Sequence, residues 1–457
     1  GGRGLLFSSL RNIKALLIYE SGSLGFNIVP PKGVSLSGNF LFRSLGGIIR
    51  SLLHFVTVPR IFSMLDRIFI NEVNCITSAG INLQKTRETL FSPVFSPLPA
   101  YPGFIDGKAI AYGLVTELAD DAAHPDYAVT RTEKLAERCL GELPGVFTLA
   151  HRYGAHRVAV VLGDSTSGMH EIEIGMKRLK EEGQLPDNFS VDALNLGKPA
   201  EYIAHRIGAA GPVYTVSNAC ASGAMAIASG AALIRAGLAD VVVAGGIDGF
   251  SRFTTLGFYG LGALSLNPCR PFAQDRSGIN LGEGGALVIL SREESPMELA
   301  GYGLTSDAHH ASAPHPEGLQ ASCAMEKALR EACLMQEDID FVSAHGTATP
   351  LNDAMEAKAI HRALGENARI ASLKPYTGHT LAGAGALQAA FAWLLLTDNP
   401  EGRLFVNQTG STKDPTLAPV HLVETPEKLG RPLKAVMGNA FAFGGSNAVL
   451  LFKRNPS

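Results

Sequence analysis

Several features that would place this chain in a specialised class of protein are missing. Its six cysteines are scattered and none belongs to a CxxC pair, so neither a disulfide framework nor a metal site is predicted. The formal net charge is −3, and without a basic excess the chain is not expected to bind nucleic acid. The free cysteines favour a reduced, cytoplasmic setting.

Acidic residues are almost missing from the first 63 residues, which carry seven basic side chains but only one acid, Glu20. Three interpretations are open: a targeting peptide, a membrane-surface arm, or translated upstream sequence with the working protein starting near Met64. The third fits best, because the segment lacks clean periodicity. No membrane span is predicted, because basic residues interrupt every candidate of about 20 apolar residues.

From Met64 onward, short apolar runs alternate with longer helical patterns, which is typical of an α/β fold. Most of the strand candidates are continuously apolar, as expected of strands that are covered on both faces. The predicted strands are Leu65–Ile70, Arg157–Leu162, Val213–Ser217, Asp240–Ala244, Ala286–Leu290, Phe341–Ala344 and Ala448–Phe452.

Two segments, Ala221–Ala236 and Leu381–Leu396, are predicted to be buried helices that pack against one another. Both are apolar nearly all round and rich in Gly and Ala, which permit close approach of two backbones. Each follows a loop with a reactive side chain, Cys220 in one case and His379 in the other. This pattern suggests an internal duplication of about 150 residues per half, with a seam near Ser291–Gly301.

Cys220 is a candidate nucleophile, because Asn218–Gly223 reads as a sharp turn between a strand and a helix. A thiol near a helix N-terminus is expected to ionise more readily, since unsatisfied N–H groups and the helix dipole favour the thiolate. The same N–H groups can stabilise an oxyanion. On this pattern alone, an inert buried cysteine remains an open alternative.

His345 and His379 both lie in loops rich in Gly and Thr, each between apolar elements. A lone histidine is more often an ordinary core or surface group, but a thiol with two imidazoles suits one reaction in particular. Loss of CO2 from a malonyl thioester leaves an enolate, whose oxygen needs two hydrogen-bond donors in a dry pocket. Neutral imidazoles can supply these donors, and a nearby cation such as Lys374 can bias their protonation.

Seven motifs in order resemble those of the β-ketoacyl-[acyl-carrier-protein] synthases of the type I/II branch, within the thiolase-fold superfamily. The resemblance extends from Met64 to about Lys453. The motifs are SNACASG (217–223), DVVVAGG (240–246), RPFAQDRSGINLGEG (270–284), GLTSDAHHASAPHPEG (303–318), AHGTATPLND (344–353), LKPYTGH (373–379) and GNAFAFGGSNAVL (438–450).

The resemblance implies a fold and a domain organisation. The fold would be a thiolase-like, five-layered αβαβα sandwich of two similar halves. Residues 64–295 would form the half with the nucleophile and residues 296–457 the half with the two histidines, leaving 1–63 as a basic extension outside the fold. The implied assembly is a homodimer, or a heterodimer with a related subunit.

It also implies a reaction, the decarboxylative Claisen condensation of an acyl group on Cys220 with malonyl-carrier protein, in fatty-acid or polyketide/polyene biosynthesis. The partner would be acyl-carrier protein, whose phosphopantetheine carries the substrates, so no further cofactor and no metal are implied. By this resemblance, Cys220 would accept the acyl group, and His345 and His379 would assist decarboxylation and condensation. Lys374, with Glu356, would order the site electrostatically, and Thr347 and Thr349 would contact phosphopantetheine. Phe443 would be the gate of the acyl pocket, and its N–H would form the oxyanion hole together with that of Cys220.

Two rival functions are weaker. A thiolase-type acyltransferase would use a second cysteine as acid and base, and a type III synthase would pair its cysteine with His and Asn; the HGTAT motif and the spacing from Lys374 to His379 argue against both. A silent, chain-length-factor-like subunit would lack the nucleophile, whereas this chain has Cys220 and both histidines. An active subunit paired with such a silent partner remains an alternative.

Overall fold

The structure is a computed structural model that describes residues 6–10, 13–20, 23–29, 67–118, 129–408, 410 and 412–456. It divides into two compact units, Gly1–Leu65 and Asp66–Ser457. In the first unit, β1 (Leu6–Leu10), β2 (Ile13–Glu20) and β3 (Ser23–Val29) form an antiparallel sheet that the sequence did not predict. Residues 30–66, with the predicted start at Met64, lie outside the described residues. None of the described helices combines the length and the apolar character that crossing a membrane requires.

The second unit is built from alternating strands and helices. Its strands are β4 (Phe69–Ile76), β5 (Ala100–Ile105), β6 (Lys108–Ala111), β7 (Val158–Gly163), β8 (Val213–Val216), β9 (Val241–Asp248), β10 (Gly284–Ser291), β11 (Met297–Ser306), β12 (Phe341–Ser343), β13 (Arg369–Ala371), β14 (His421–Leu422), β15 (Ala435–Phe441) and β16 (Ser446–Arg454). Its helices are α1 (Leu83–Leu90), α2 (Arg131–Leu140), α3 (Gly145–Tyr153), α4 (Met169–Glu182), α5 (Lys198–Ile207), α6 (Ser222–Arg235), α7 (Arg252–Gly260), α8 (Leu319–Ala332), α9 (Pro350–Leu364), α10 (Lys374–Thr377) and α11 (Ala382–Leu396). Short 3₁₀ turns span Ala155–Arg157, Val191–Leu194, Gln336–Asp338 and Phe443–Gly445.

The main sheet repeats one topology twice. Its strand order is β14-β13-β12-β15-β16-β11-β4-β10-β9-β7-β8. In each half, three neighbouring parallel strands are followed by two antiparallel ones. In spatial order these strands are β8, β7, β9, β10 and β4 in the first half, and β13, β12, β15, β16 and β11 in the second. The halves meet where β11 pairs with β4. The predicted duplication is therefore present, and the predicted boundary at residue 295 falls in the turn between β10 and β11.

Helices α6 and α11 form the central layer of a five-layered α/β fold. Both contribute to one large apolar core that also contains side chains of β9, β10, β15 and β16. Separate apolar cores lie on the outer faces of the sheet, one under α2 and α5 and another under α8 and α9. The central helices are buried on nearly all sides, which explains why their sequences show no polar face.

Several strands of the second unit differ from those predicted from the sequence. The strand predicted at Leu65–Ile70 is β4, Phe69–Ile76, and residues 65 and 66 lie outside the described residues. The strand continues past Ile70 because its polar side chains have partners: Glu72 accepts from the N–H of Gly145 and Asn74 from the N–H of Leu83.

Strands β5, β6, β11, β13, β14 and β15 were not predicted. Glycines interrupt the apolar pattern of β11 (Gly301 and Gly303) and β15 (Gly438), and β13 and β14 have only three and two residues. At Gly303 in β11, a Cβ would lie 1.8 Å from the carbonyl oxygen of Ala324, so α8 requires a glycine there.

Candidate active site

Cys220 lies in a strained turn between β8 and α6. The preceding residue, Ala219, has φ +47°, a conformation that residues with a Cβ rarely adopt. Ser222, the first residue of α6, stabilises this turn by donating from Oγ to the carbonyl of Ala219 (2.6 Å) and accepting from the N–H of Asn218 (2.8 Å). The sequence therefore predicted the strand, the turn and the helix correctly, and the turn fixes the position of the thiol.

The backbone N–H groups of Cys220 and Phe443 act on the sulfur of Cys220, and each lowers the pKa of the thiol. These are the two donors that the resemblance implied for an oxyanion hole. The expectation of a ready thiolate is wrong for the unliganded protein, because burial raises the pKa of the Cys220 thiol to about 11. The charge of Lys374 and the two N–H groups oppose this rise but do not cancel it, since desolvation of the buried thiol is the largest effect.

His345 is held by a buried carboxylate. It follows β12, and the N–H groups of His345 and Gly346 both donate to Glu356 on α9, each at 2.7 Å. Asn439 on β15 donates to the same carboxylate at 3.0 Å. Because Glu356 is fully buried, these bonds fix the loop and thereby the ring of His345.

Lys374 places a positive charge behind His345. Its Nζ lies 3.4 Å from Nδ1 of His345 and also donates to the carbonyl oxygen of His345. Burial lowers the pKa of Lys374 and raises that of Glu356, while the mutual attraction of the two charges opposes both shifts. Burial, and after it the charge of Lys374, lower the pKa of His345 well below its usual value, so this imidazole is neutral at pH 7.

His379 is held in one tautomer by the turn that precedes α11. The N–H of Leu381, which has φ +51°, donates to Nδ1 of His379 at 3.3 Å. Since Nδ1 accepts this bond, the proton of the neutral ring is on Nε2. Burial lowers the pKa of His379 well below its usual value, and Lys374 lowers it further. The turn therefore presents a neutral N–H donor.

The three predicted reactive groups meet in one place. One ligand-type atom from each of Cys220, His345 and His379 lies within 4.8 Å of the other two, and the imidazole centroids are 5.3 Å apart. All three side chains line a single cavity of about 280 Å³. Their helices and strands come from both halves of the fold, so the duplication itself creates the site.

The spacing of these three atoms would also suit a tetrahedral metal ion, but the surrounding bonds do not. A metal on Nε2 of His379 would require Nδ1 to carry the proton, and Leu381 already donates there. The ammonium of Lys374 faces Nδ1 of His345 in the same way. The donor set is therefore arranged for proton donation rather than for a cation, and the absence of a bound metal remains a prediction.

The remaining predicted residues line the same cavity or support it. Thr347 and Thr349 face the cavity with their hydroxyls 2.9 Å apart. Phe443 is about one third exposed and packs against Phe258 of α7, with 5.7 Å between ring centroids. Neither Phe258 nor Asn439 was predicted as a site residue: Phe258 lies outside the seven motifs, and Asn439 lies within the motif 438–450 but its local pattern indicates no role.

The pKa of Cys220 leads to a testable reactivity. Since only the thiolate reacts with iodoacetamide, alkylation of Cys220 should speed up by about tenfold per pH unit between about pH 7 and pH 10. Lys374→Met should slow the reaction further, because loss of the cation raises the pKa of the thiol. Peptide mass spectrometry after timed alkylation gives both rates. A rate that is constant across this pH range would indicate a preformed thiolate and contradict the assignment.

Two family models match the chain on either side of the β10–β11 turn. Residues 150–295 match the N-terminal domain of beta-ketoacyl synthases, and residues 297–400 match their C-terminal domain. A 3-oxoacyl-[acyl-carrier-protein] synthase 2 of Staphylococcus aureus is 33% identical over 318 residues, which is 66% of this chain and 76% of that protein. The enzyme of the same name from Vibrio cholerae is 33% identical over 323 residues, with the same coverage.

Solved structures agree with these relatives. The ketosynthase ApeO of Xenorhabdus doucetiae, described in complex with its chain length factor ApeC, is 36% identical with a TM-score of 0.78, covering 85% of this chain and 98% of its own. The ishigamide ketosynthase/chain length factor is 26% identical with a TM-score of 0.73, covering 85% and 99%. A beta-ketoacyl synthase of Burkholderia phymatum is 26% identical with a TM-score of 0.72, covering 85% and 100%.

Proposed function

The chain belongs to the β-ketoacyl synthase family and is a condensing acyltransferase of fatty-acid or polyketide biosynthesis, and we propose that Cys220, His345 and His379 carry out its chemistry. In the overall reaction, an acyl thioester and malonyl-carrier protein give a β-ketoacyl-carrier protein, CO2 and a free carrier thiol. One observation carries the proposal: the reactive atoms of the three side chains lie within 4.8 Å of one another at a single cavity.

The first step is transfer of the acyl group to the enzyme. The sulfur of Cys220 attacks the carbonyl carbon of the acyl thioester, and the N–H groups of Cys220 and Phe443 stabilise the negative charge that develops on the oxygen. The carrier thiol leaves, and its sulfur ends with the proton that Cys220 gives up. Because one thiol replaces another, this step changes neither the net charge nor the proton count.

The second step is decarboxylation. The bond between the malonyl carboxylate and the α-carbon breaks, CO2 leaves, and the electron pair forms an enolate. Its oxygen accepts hydrogen bonds from the Nε2–H groups of His345 and His379, whose Nδ1 atoms face Lys374 and the N–H of Leu381 respectively. The α-carbon then attacks the acyl carbonyl on Cys220 and the bond from that carbon to sulfur breaks. The thiolate of Cys220 takes up a proton from water, and the overall reaction consumes this proton because the malonyl carboxylate leaves as neutral CO2.

We assign the arm of the carrier protein to the mouth of the same cavity. Thr347 and Thr349 place two hydroxyls on its wall, and Phe443 is at its exposed side. Hydroxyls of this kind suit the amides of a phosphopantetheine arm, whose length would let the carrier protein remain outside. The substrates then bring the only prosthetic group, and no further cofactor is proposed.

We also propose a related subunit as partner in a heterodimer. Two of the similar structures are ketosynthases described with chain length factors, and ApeO is 36% identical to this chain. Strand β8 is the last strand of the main sheet, so one of its edges has no strand partner among the described residues. Co-purification of this chain with a related subunit that lacks the nucleophile would support a heterodimer, whereas a stable and fully active homodimer would overturn it.

The proposed function is tested with a panel of acyl-carrier proteins that differ in acyl chain. After incubation, peptide mass spectrometry should find an acyl group on Cys220 and on no other cysteine. Addition of malonyl-carrier protein should then release CO2 and give a product two carbons longer. If no member of the panel acylates Cys220 and no CO2 appears, the proposal fails.

A further inference from the structure

Two fully buried aspartates lie beside the reactive groups, and the proposed chemistry does not use them. Asp164 directly follows β7, and Asp248 is the last residue of β9. Because β7 and β9 are parallel neighbours, with Gly163 opposite Gly246, the two carboxyl groups come together at the same edge of the sheet. Two unpaired negative charges at this depth would be costly, so the arrangement needs an explanation.

The hydrogen bonds show which of the two carries the charge. Asp248 accepts five bonds: from N–H and Oγ of Ser165, from N–H and Oγ1 of Thr166, and from the N–H of Ala382, at 2.5 to 2.9 Å. Asp164 accepts two, from the N–H groups of Thr166 and Ser167, both on Oδ1. No donor of the described residues faces Oδ2 of Asp164.

The unpartnered oxygen is explained by a shared proton. The N–H of Thr166 donates to Oδ1 of both Asp164 and Asp248, at 3.2 and 2.8 Å, so the two carboxyl groups lie side by side. Two adjacent carboxyl groups can hydrogen-bond to one another only if one of them is protonated. The proton belongs on Oδ2 of Asp164, which then becomes a sixth donor to Asp248. In agreement, burial and the neighbouring Asp248 raise the pKa of Asp164 well above its usual value.

Asp248 connects this pair to a catalytic imidazole. Its carboxylate accepts a hydrogen bond from the N–H of Ala382, the first residue of α11. The adjacent N–H of Leu381 donates to Nδ1 of His379 and thereby fixes the tautomer of this ring. The turn packs closely against both neighbouring elements, because a Cβ at Gly223 or Gly246 would lie only 2.6 or 2.8 Å from the carbonyl oxygen of Ala382. Asp248 is thus positioned to keep a strained turn in place.

We propose that Asp164 and Asp248 are a proton-sharing pair of positioning residues that holds the Leu381–Ala382 turn and thereby orients His379. Loss of the shared proton places two negative charges side by side and weakens the hold on the turn. Decarboxylation should therefore decline on the alkaline side, at a pH set by the pair. The inference rests on the proposed role of His379, because without that role the turn would have no catalytic consequence.

Other titratable groups face the pair and have to be separated from it. Cys220, in the turn before α6, and Tyr112, after β6, both interact with the charge of Asp248. Burial raises the pKa of each, that of Cys220 to about 11, so both are neutral at pH 7. α11 contributes only backbone N–H groups, and the β7–α4 turn contributes only hydroxyls and N–H groups.

The test uses decarboxylation of malonyl-carrier protein by the full chain with Cys220→Ala, so that titration of the thiol does not enter the pH profile. Asp164→Asn supplies a permanent donor in place of the shared proton. It should keep the rate at pH 7 and move the alkaline decline to higher pH, because an amide does not ionise.

Asp164→Leu removes the donor and should lower the rate at every pH. Asp248→Asn should lower the rate by about 100-fold, as expected when a catalytic group is displaced by about 1 Å, and should affect kcat far more than KM.

The outcomes distinguish the pair from simple structural support. The inference would be overturned if the rate of decarboxylation declined at the same alkaline pH with Asp164 and with Asp164→Asn. It would also be overturned if the Asp164→Leu variant were as active as the Asp164→Asn variant. Asp164→Asn keeps the size and the hydrogen bonds of the site, so the comparison does not depend on whether Asp248→Asn folds. If instead the protein with Asp164 releases no CO2 at any pH, the proposed function fails rather than this inference.

Discussion

Replacement of Cys220 by alanine is expected to lower condensation by about 10⁴-fold or more, since removal of a covalent nucleophile has effects of this order. Among the described residues that line the cavity, Cys220 is the one cysteine, so no neighbouring thiol can take its place. No acyl adduct should form on the variant. Product formation from acyl- and malonyl-carrier protein, followed by mass spectrometry, measures both effects.

Cys139→Ala is the matched control for this experiment. Cys139 is also a buried, free cysteine, but it belongs to α2, points into the outer core and does not line the cavity. Its replacement should cost some stability and leave the acyl adduct on Cys220 intact. Condensation by Cys220→Ala at a rate close to that of the unmodified protein would rule out the proposed mechanism.

Replacement of either His345 or His379 by alanine should separate the two half-reactions. Acylation of Cys220 should persist, because the N–H groups of Cys220 and Phe443 that stabilise its oxyanion remain. Decarboxylation should fall by about 10²- to 10³-fold for each variant, as observed when one donor to a developing oxyanion is removed. The fold-loss of decarboxylation in the double variant should be smaller than the product of the two single fold-losses, because both imidazoles donate to the same oxygen. CO2 release and the acyl adduct are measured separately.

The pH dependence of this step follows from the same imidazoles. Their pKa values are lowered well below the usual value by burial and by Lys374, so both rings stay neutral as the pH falls through 6.5. Decarboxylation should therefore be nearly constant between about pH 6 and pH 7.5, where an ordinary histidine would titrate. An acid limb centred near pH 6.5 would contradict this assignment.

His170→Ala is the control for loss of a half-buried imidazole outside the cavity. Partial burial lowers the pKa of His170 to about 4, but its ring packs against Phe250 and does not line the cavity. Its replacement should leave the ratio of CO2 release to acylation unchanged. If His170→Ala and His379→Ala reduce both half-reactions alike, the two catalytic roles assigned to His345 and His379 are wrong.

The local pattern around Cys220 and the two central helices was predictable from the sequence. A strand, a turn of small residues and a helix are each encoded by adjacent residues, and the turn places the thiol without help from distant parts of the chain. The helices α6 and α11 were predicted within one residue at each end, because a segment that is apolar on all sides is stable as a helix only in the interior. Strands with partnered polar residues, such as Glu72 and Asn74 in β4, were placed wrongly.

By itself, the sequence determined the α/β class, the duplication and the three reactive residue types, since these follow from periodicity and from motifs a few residues long. Only the tertiary structure decided the state of those residues. The thiol of Cys220 is neutral rather than ionised because residues from both halves exclude water from it, and the tautomer of His379 depends on a turn that Asp248 holds from a strand more than 130 positions earlier. Protonation depends on desolvation and on nearby charges, and both are set by contacts between residues that are far apart in the chain.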